Sequence, residues 1–87
     1  MKTFQDLDFN PHPSGMGGVQ ARIAFPNGYG ASVVCSPTSY GGRDGLYEIA
    51  VLNSEGRITY DTPITNDVIG WLSEEDVTEI MKKVQEL

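Results

Sequence analysis

Two alternating segments meet at Pro26-Asn27-Gly28, and the register they impose on each other constrains this chain more than any other feature. Val19, Ala21, Ile23 and Phe25 alternate with Gln20, Arg22 and Ala24, a period-two pattern with one apolar face. A two-residue Asn27-Gly28 loop would oppose Phe25 to Gly30 and Ile23 to Ser32. A three-residue loop opposes Phe25 to Tyr29, Ile23 to Ala31 and Ala21 to Val33, and keeps one face apolar throughout. Pro26 and Asn27 suit the centre of a type I turn, and Gly28 suits the left-handed position that follows. The pattern therefore predicts a hairpin with a three-residue loop, its second strand running from about Tyr29 to Cys35 until Pro37 ends it.

Leu46 to Leu52 predicts a third strand, apolar on both faces apart from Glu48 and so central and covered on both sides. Asn53-Ser54-Glu55-Gly56 reads as a second hairpin turn, returning Arg57 to Asp61 as a fourth strand that Thr62-Pro63 closes. Ser73 caps a final helix whose first turn holds Glu74, Glu75 and Asp76, the sign that the helix dipole favours there. Val77, Ile80, Met81, Val84 and Leu87 form one apolar stripe that must dock on the sheet. Ile64 to Leu72 is compact and apolar; Asn66-Asp67 offers the start of a single helical turn, and Gly70 interrupts anything longer. Residues 1–18 read as an irregular arm: Phe4, Leu7 and Phe9 tuck against the sheet, and Pro11 to Gly18 forms a loop. The expectation is one α+β domain over 1–87. An arm (1–18) precedes an antiparallel meander of about four strands (19–61), and a helical cover (64–87) packs its amphipathic helix on one face. The arm is expected near an edge or on the other face.

Length and composition narrow the function. With 87 residues there is one small core. The single cysteine, Cys35, excludes a disulfide within one copy and a thiolate zinc cluster, and a lone thiol suits a reducing cytoplasm. No apolar run approaches the roughly 18 residues of a membrane span, and Met1 to Asp6 carries no signal-peptide core. Twelve acidic residues against six basic ones leave a formal charge of −6. That balance disfavours direct binding to nucleic acid or an anionic membrane and permits a basic protein partner. It also serves simple solubility.

Few residues point to chemistry. Cys35 with His12 is the one thiol–imidazole pairing available, but nothing in the sequence brings them within hydrogen-bond reach. Cys35 shares strand parity with Val33 and reads as a buried structural cysteine; His12, between two prolines, reads as a loop residue. Asp6, Asp8, Asp44 and Asp61 lack calcium-loop spacing. The Gly15-to-Gly18 and Gly41-Gly42 clusters both lead into strands, whereas a phosphate cradle opens a helix. No cofactor or metal is expected, and no enzyme. Recognition remains. Tyr40 and Arg43 stand on the loop Thr38 to Gly45, a glycine-rich connection expected to be flexible and exposed, and both are residue types that anchor interfaces. Trp71 reads either as the core anchor of the last helix or as an exposed contact. The need of a small domain to bury its largest side chain favours the core.

Asn27-Gly28-Tyr29-Gly30, Ser39-Tyr40-Gly41-Gly42, Gly45-Leu46-Tyr47-Glu48, Tyr60-Asp61-Thr62-Pro63-Ile64-Thr65 and Asp67-Val68-Ile69-Gly70 together resemble small proteins of unassigned function encoded by tailed bacteriophages. The resemblance spans most of the chain, including Phe9 to Gly18. It carries no catalytic residues, and it implies a phage product acting in a bacterial cytoplasm by binding or modulating a host or phage protein. The combined expectation is a small acidic, non-enzymatic protein-binding module. The alternatives are an acidic nucleic-acid mimic that occupies a DNA- or RNA-binding protein, which needs carboxylates arrayed on one surface, and an enzyme built on Cys35. An uncovered sheet edge would also allow a homodimer.

Overall fold

The three-residue hairpin is present in the computed structural model, which describes residues 1–64 and 68–87. Strands β2 (Val19–Ala24) and β3 (Gly30–Cys35) pair Ala21 with Val33, Ile23 with Ala31 and Ala24 with Gly30. Phe25 N–H donates to the Tyr29 carbonyl at 2.8 Å, Gly28 N–H donates back to the Phe25 carbonyl at 3.1 Å, and Gly28 takes φ +91°. The buried face thus selected the loop length, because a two-residue turn would have turned that face outward.

Strand β4 (Tyr47–Leu52) continues the meander against β3, with Val33 opposite Ile49 and Ala31 opposite Val51. The apolar face so assembled, with Ala21, Ala31, Val33, Ile49 and Val51 all buried, lies under helix α1 (Glu74–Gln85). Val77, Met81 and Val84 of that helix are fully buried. Ser73 caps it in both directions: its hydroxyl accepts from Asp76 N–H, and its own N–H donates to the Asp76 carboxylate, each at 3.1 Å. At the other end Asn27, from the hairpin tip, donates its amide to the Val84 carbonyl at 2.8 Å, so the first turn of the sheet satisfies the last turn of the helix.

The α+β meander with a C-terminal helix stands as expected, but the sheet has five strands among the described residues, hydrogen-bonded side by side in chain order. Three sequence expectations change. Pro11 is not loop: Asn10–Pro11 is a short strand, β1, pairing with Val19 and Gln20 of β2. Proline is tolerated there because the strand is an outer edge. The arm ahead of β1 does pack as expected. Phe4 and Phe9 stack about Tyr47 with ring centroids 5.1 and 5.7 Å from it, and Phe4 N–H donates to Thr78 of the helix at 3.1 Å. The arm therefore lies on the helix side, extending the sheet at its β2 edge, and not on the opposite face.

The second change concerns Arg57 to Asp61, which form no strand. Only Ile58 bridges to Leu52, with Thr59 N–H donating to the Val51 carbonyl at 2.9 Å. The expected turn before it is present, with Gly56 at φ +76°. The third change explains the second: the rest of the β4 edge is taken by β5 (Ile69–Leu72), within a segment expected to be compact and helical. The helical turn expected at Asn66-Asp67 lies outside the described residues.

Candidate functional site

Strand β5 carries an irregularity that decides where the largest side chain goes. Tyr47 pairs with Leu72 and Ile49 with Ile69, so two steps along β4 match three along β5. The extra residue makes a β-bulge. Without it, Trp71 would share a face with Ile69 and point at the helix. With it, Leu72 takes the inward position, 8 % exposed, and Trp71 is turned out, 60 % exposed. The expectation that Trp71 anchors the core is therefore overturned: the core took Leu72 instead.

Trp71 is also the one described non-glycine residue with positive φ, at +59°. A bulky L-residue in the left-handed region is a strained position, of order 1–3 kcal/mol, and the surroundings must hold it there. Those surroundings are the β3–β4 loop, which is exposed at Tyr40 and Arg43 as expected and is closed by its own hydrogen bonds. Ser39 braces the loop: its hydroxyl accepts from Ser36 N–H at 2.9 Å and donates to the Ser36 carbonyl at 3.0 Å. Gly42–Asp44 forms a 3-10 turn, and Leu46 N–H donates to the Gly41 carbonyl at 3.0 Å. Gly41 is buried at φ +86°; a Cβ there would lie 3.0 Å from the Trp71 Cα. A Cβ on Gly70 would meet the Tyr40 Cβ at 2.3 Å. Glycines thus let the loop and β5 touch backbone to backbone, and Trp71 N–H donates to the Tyr40 carbonyl at 3.2 Å.

The outcome is two exposed aromatic residues, Tyr40 and Trp71, whose backbones are joined. Tyr40 is 61 % exposed, and its main chain is bonded directly to that of Trp71. Arg43, from the same loop, is exposed and donates its Nε–H to the Pro37 carbonyl at 3.3 Å. All three residues singled out from the sequence therefore belong to one loop-and-edge unit. Residue type found Tyr40 and Arg43. No local signal marked Trp71 as exposed, because its direction depends on the bulge.

The remaining chemistry-bearing residues are dispersed. Cys35 is half-buried, and its thiol donates to the Gly42 carbonyl at 3.7 Å. The His12 ring nitrogen Nδ1 accepts from Ser14 N–H at 3.1 Å and lies 2.9 Å from the Ser14 hydroxyl. Each is engaged locally, and neither has the other as a hydrogen-bond partner. Burial pushes the Tyr47 phenol above its ordinary pKa, and the Glu74 carboxylate and Cys35 act in the same direction. Among the described residues no three His, Cys, Asp or Glu side chains converge as a metal site. Among the described residues no helix is long and apolar enough to cross a membrane.

Several shallow depressions mark the described surface, two of them at the hairpin turns and at the helix N-terminus. One, of about 510 Å³, lies between the two hairpin turns and is bordered by Arg22, Phe25, Tyr29 and Leu52. Arg22 there donates to the Gly56 carbonyl. The other is bordered by Phe4, Gln5, Glu74, Glu75, Asp76 and Glu79. Neither could be read from local pattern, since each joins segments distant in the chain. No family model, no curated protein and no solved structure matches the chain.

Proposed function

We propose that this chain is a non-enzymatic module that binds another protein through the face formed by Tyr40 and Trp71, with Arg43 on its margin. The observation that carries the reading is Trp71: a strained backbone in β5 holds the chain's one tryptophan in solvent, its N–H bonded to the carbonyl of exposed Tyr40 on a loop tied down by its own hydrogen bonds. Large aromatics placed in water on a rigid base dominate interface energetics, because they bury much area with little loss of side-chain freedom. On this reading, the resemblance of its motifs to phage proteins supports a host or phage protein of a bacterial cytoplasm as the partner.

An acidic nucleic-acid mimic is the second reading. It draws on Glu74, Glu75, Asp76 and Glu79 lying on one concavity. Against it, Asp76 is committed to capping the helix, and Asp6 to capping the 3-10 turn Phe4–Asp6, where Thr3 N–H donates to its carboxylate at 2.8 Å. Native chain and the double variant Tyr40→Ala/Trp71→Ala, each immobilised and exposed to bacterial lysate, separate the readings. A stoichiometric partner retained by the native chain and lost by the variant supports the aromatic face. Equal retention by both moves the interface elsewhere and ends this reading.

A further inference from the structure

Asn27-Gly28 turns the first hairpin, and it is also the most reactive dipeptide of the chain. A side-chain amide is open to attack by the next backbone nitrogen, and glycine offers no Cβ to crowd that approach. The other asparagines are poorer candidates. Asn10 precedes Pro11, which has no N–H to give up, and Asn53 precedes Ser54, whose side chain crowds the nitrogen. Asn66 lies outside the described residues. Asn27 and Gly28 are both exposed, so water reaches them.

The fold engages each reacting group elsewhere. Gly28 N–H, the source of the attacking nitrogen, donates to the Phe25 carbonyl at 3.1 Å. Asn27 Oδ1 accepts from Tyr29 N–H at 3.1 Å. Asn27 Nδ2 donates to the Val84 carbonyl at 2.8 Å and to the Leu87 carbonyl oxygen at 3.4 Å. Val84 lies in the last turn of α1, where carbonyls lack helical partners and form the negative end of the helix dipole. One amide therefore both shapes the hairpin tip and latches it to the helix.

We propose that Asn27 is a gated deamidation site, closed while the hairpin tip is docked on the end of α1, open when the two part, and locked open once modified. The Gly28 nitrogen, its proton taken by solvent base, attacks Asn27 Cγ. The N–Cγ bond forms, the Cγ–Nδ2 bond breaks, and Nδ2 leaves as ammonia with a proton from water. A water molecule then opens the cyclic imide at either carbonyl, which leaves aspartate or isoaspartate at position 27. One water is consumed and one ammonia released, with no change of oxidation state. Both products oppose docking. A carboxylate has no N–H for the Val84 carbonyl, and it brings negative charge to the helix end that disfavours it. Isoaspartate also routes the backbone through the side chain, adding one backbone atom to the loop whose length sets the register. The device is independent of the Tyr40 and Trp71 face and stands whether or not that face binds a partner.

The full chain, kept in warm, mildly alkaline buffer either folded or in urea above its unfolding midpoint, tests the gate. Peptide mass mapping follows the mass gain and the isoaspartate at each asparagine. In urea, Asn27 should react faster than Asn10 or Asn53. Folded, it should react at least about thirtyfold more slowly than in urea, the factor that two net hydrogen bonds supply. Equal rates in the two states overturn the gate, and an Asn27 that stays intact in urea removes the site. Asn27→Asp tests the lock. Its urea midpoint should fall by about 1–2 M, the effect of one lost hydrogen bond and an opposed charge in a domain this small. Asn53→Asp is the control. Asn53 Oδ1 accepts from Glu55 N–H at 2.9 Å and Arg57 N–H at 3.1 Å, which a carboxylate does equally well, so its midpoint should hold. An unchanged midpoint for Asn27→Asp, or an equal fall in both variants, overturns the lock.

Discussion

The loop that presents Tyr40 and Arg43 should depend on Gly42 more than on any glycine chosen for its backbone angle. A Cβ at Gly42 would lie 1.8 Å from the Ser36 carbonyl oxygen and 2.5 Å from the Ser39 hydroxyl. No rotamer relieves a clash with backbone, so Gly42→Ala must push the turn off Ser36. Three hydrogen bonds go with it: Ser39 N–H to the Ser36 carbonyl (3.2 Å), the Ser39 hydroxyl to the same carbonyl (3.0 Å), and Gly42 N–H to the Ser39 carbonyl (3.1 Å). At about 1 kcal/mol for each hydrogen bond lost, the cost is about 3 kcal/mol. Gly45 is the control. It sits at φ +75° with no atom within 4 Å of a Cβ, so Gly45→Ala carries only the left-handed penalty of about 1 kcal/mol. Urea unfolding followed by far-ultraviolet circular dichroism reads both. With a slope of about 1 kcal/mol/M for a domain this small, the midpoint should fall by about 3 M and about 1 M respectively. Equal losses, or a larger loss at Gly45, would show that backbone angle rather than close approach governs the loop, and the account of how Tyr40 and Trp71 are held together would fail with it.

Met81 is fully buried between the helix and the sheet, so Met81→Ala should cost about 2–5 kcal/mol, measured by the same urea titration. Against a total of about 4–13 kcal/mol for a chain of this length, that loss leaves a marginal fold. Ser73→Ala removes the hydroxyl that accepts from Asp76 N–H and should cost about 1 kcal/mol, visible as a lower melting temperature with an unchanged spectrum at room temperature. The Tyr47 phenol is raised in the folded state by burial, so the native state holds its proton more tightly than the unfolded chain does. Stability from this group is therefore full below the ordinary phenol pKa of about 10 and is lost as pH rises through and above it. Tyr47→Phe should flatten that alkaline decline in denaturant midpoints, and an unchanged decline would assign it to other groups.

How far the sequence carries is clearest at the two hairpin turns and the helix. Pro26-Asn27-Gly28, the alternation on either side of it, and the Ser73 cap with the stripe Val77, Met81 and Val84 are local patterns. Each is satisfied by neighbours within a few residues or by one buried face, so register and helix followed without knowledge of the rest. Tyr40 and Arg43 were legible as interface residue types for the same reason. What no local pattern contained is the competition for the β4 edge. Arg57 to Asp61 alternates plausibly, yet β5 occupies most of that edge, because its inward residues Ile69 and Leu72 pack into the core and those of the earlier segment do not.

The fate of Trp71 follows from the same competition. Composition and size argue that a small domain buries its tryptophan, and the sequence by itself could say no more. Its direction depended on one extra residue in β5, on whether Gly41 and Gly70 let two backbones meet, and on which of Trp71 and Leu72 filled the space beside Tyr47. The chain alone determined the pleated layer, its first register and the capped helix, because their causes lie within a turn or a strand. Tertiary structure decided which aromatic faces water, because a side chain's direction along a strand reverses with a single-residue shift in pairing.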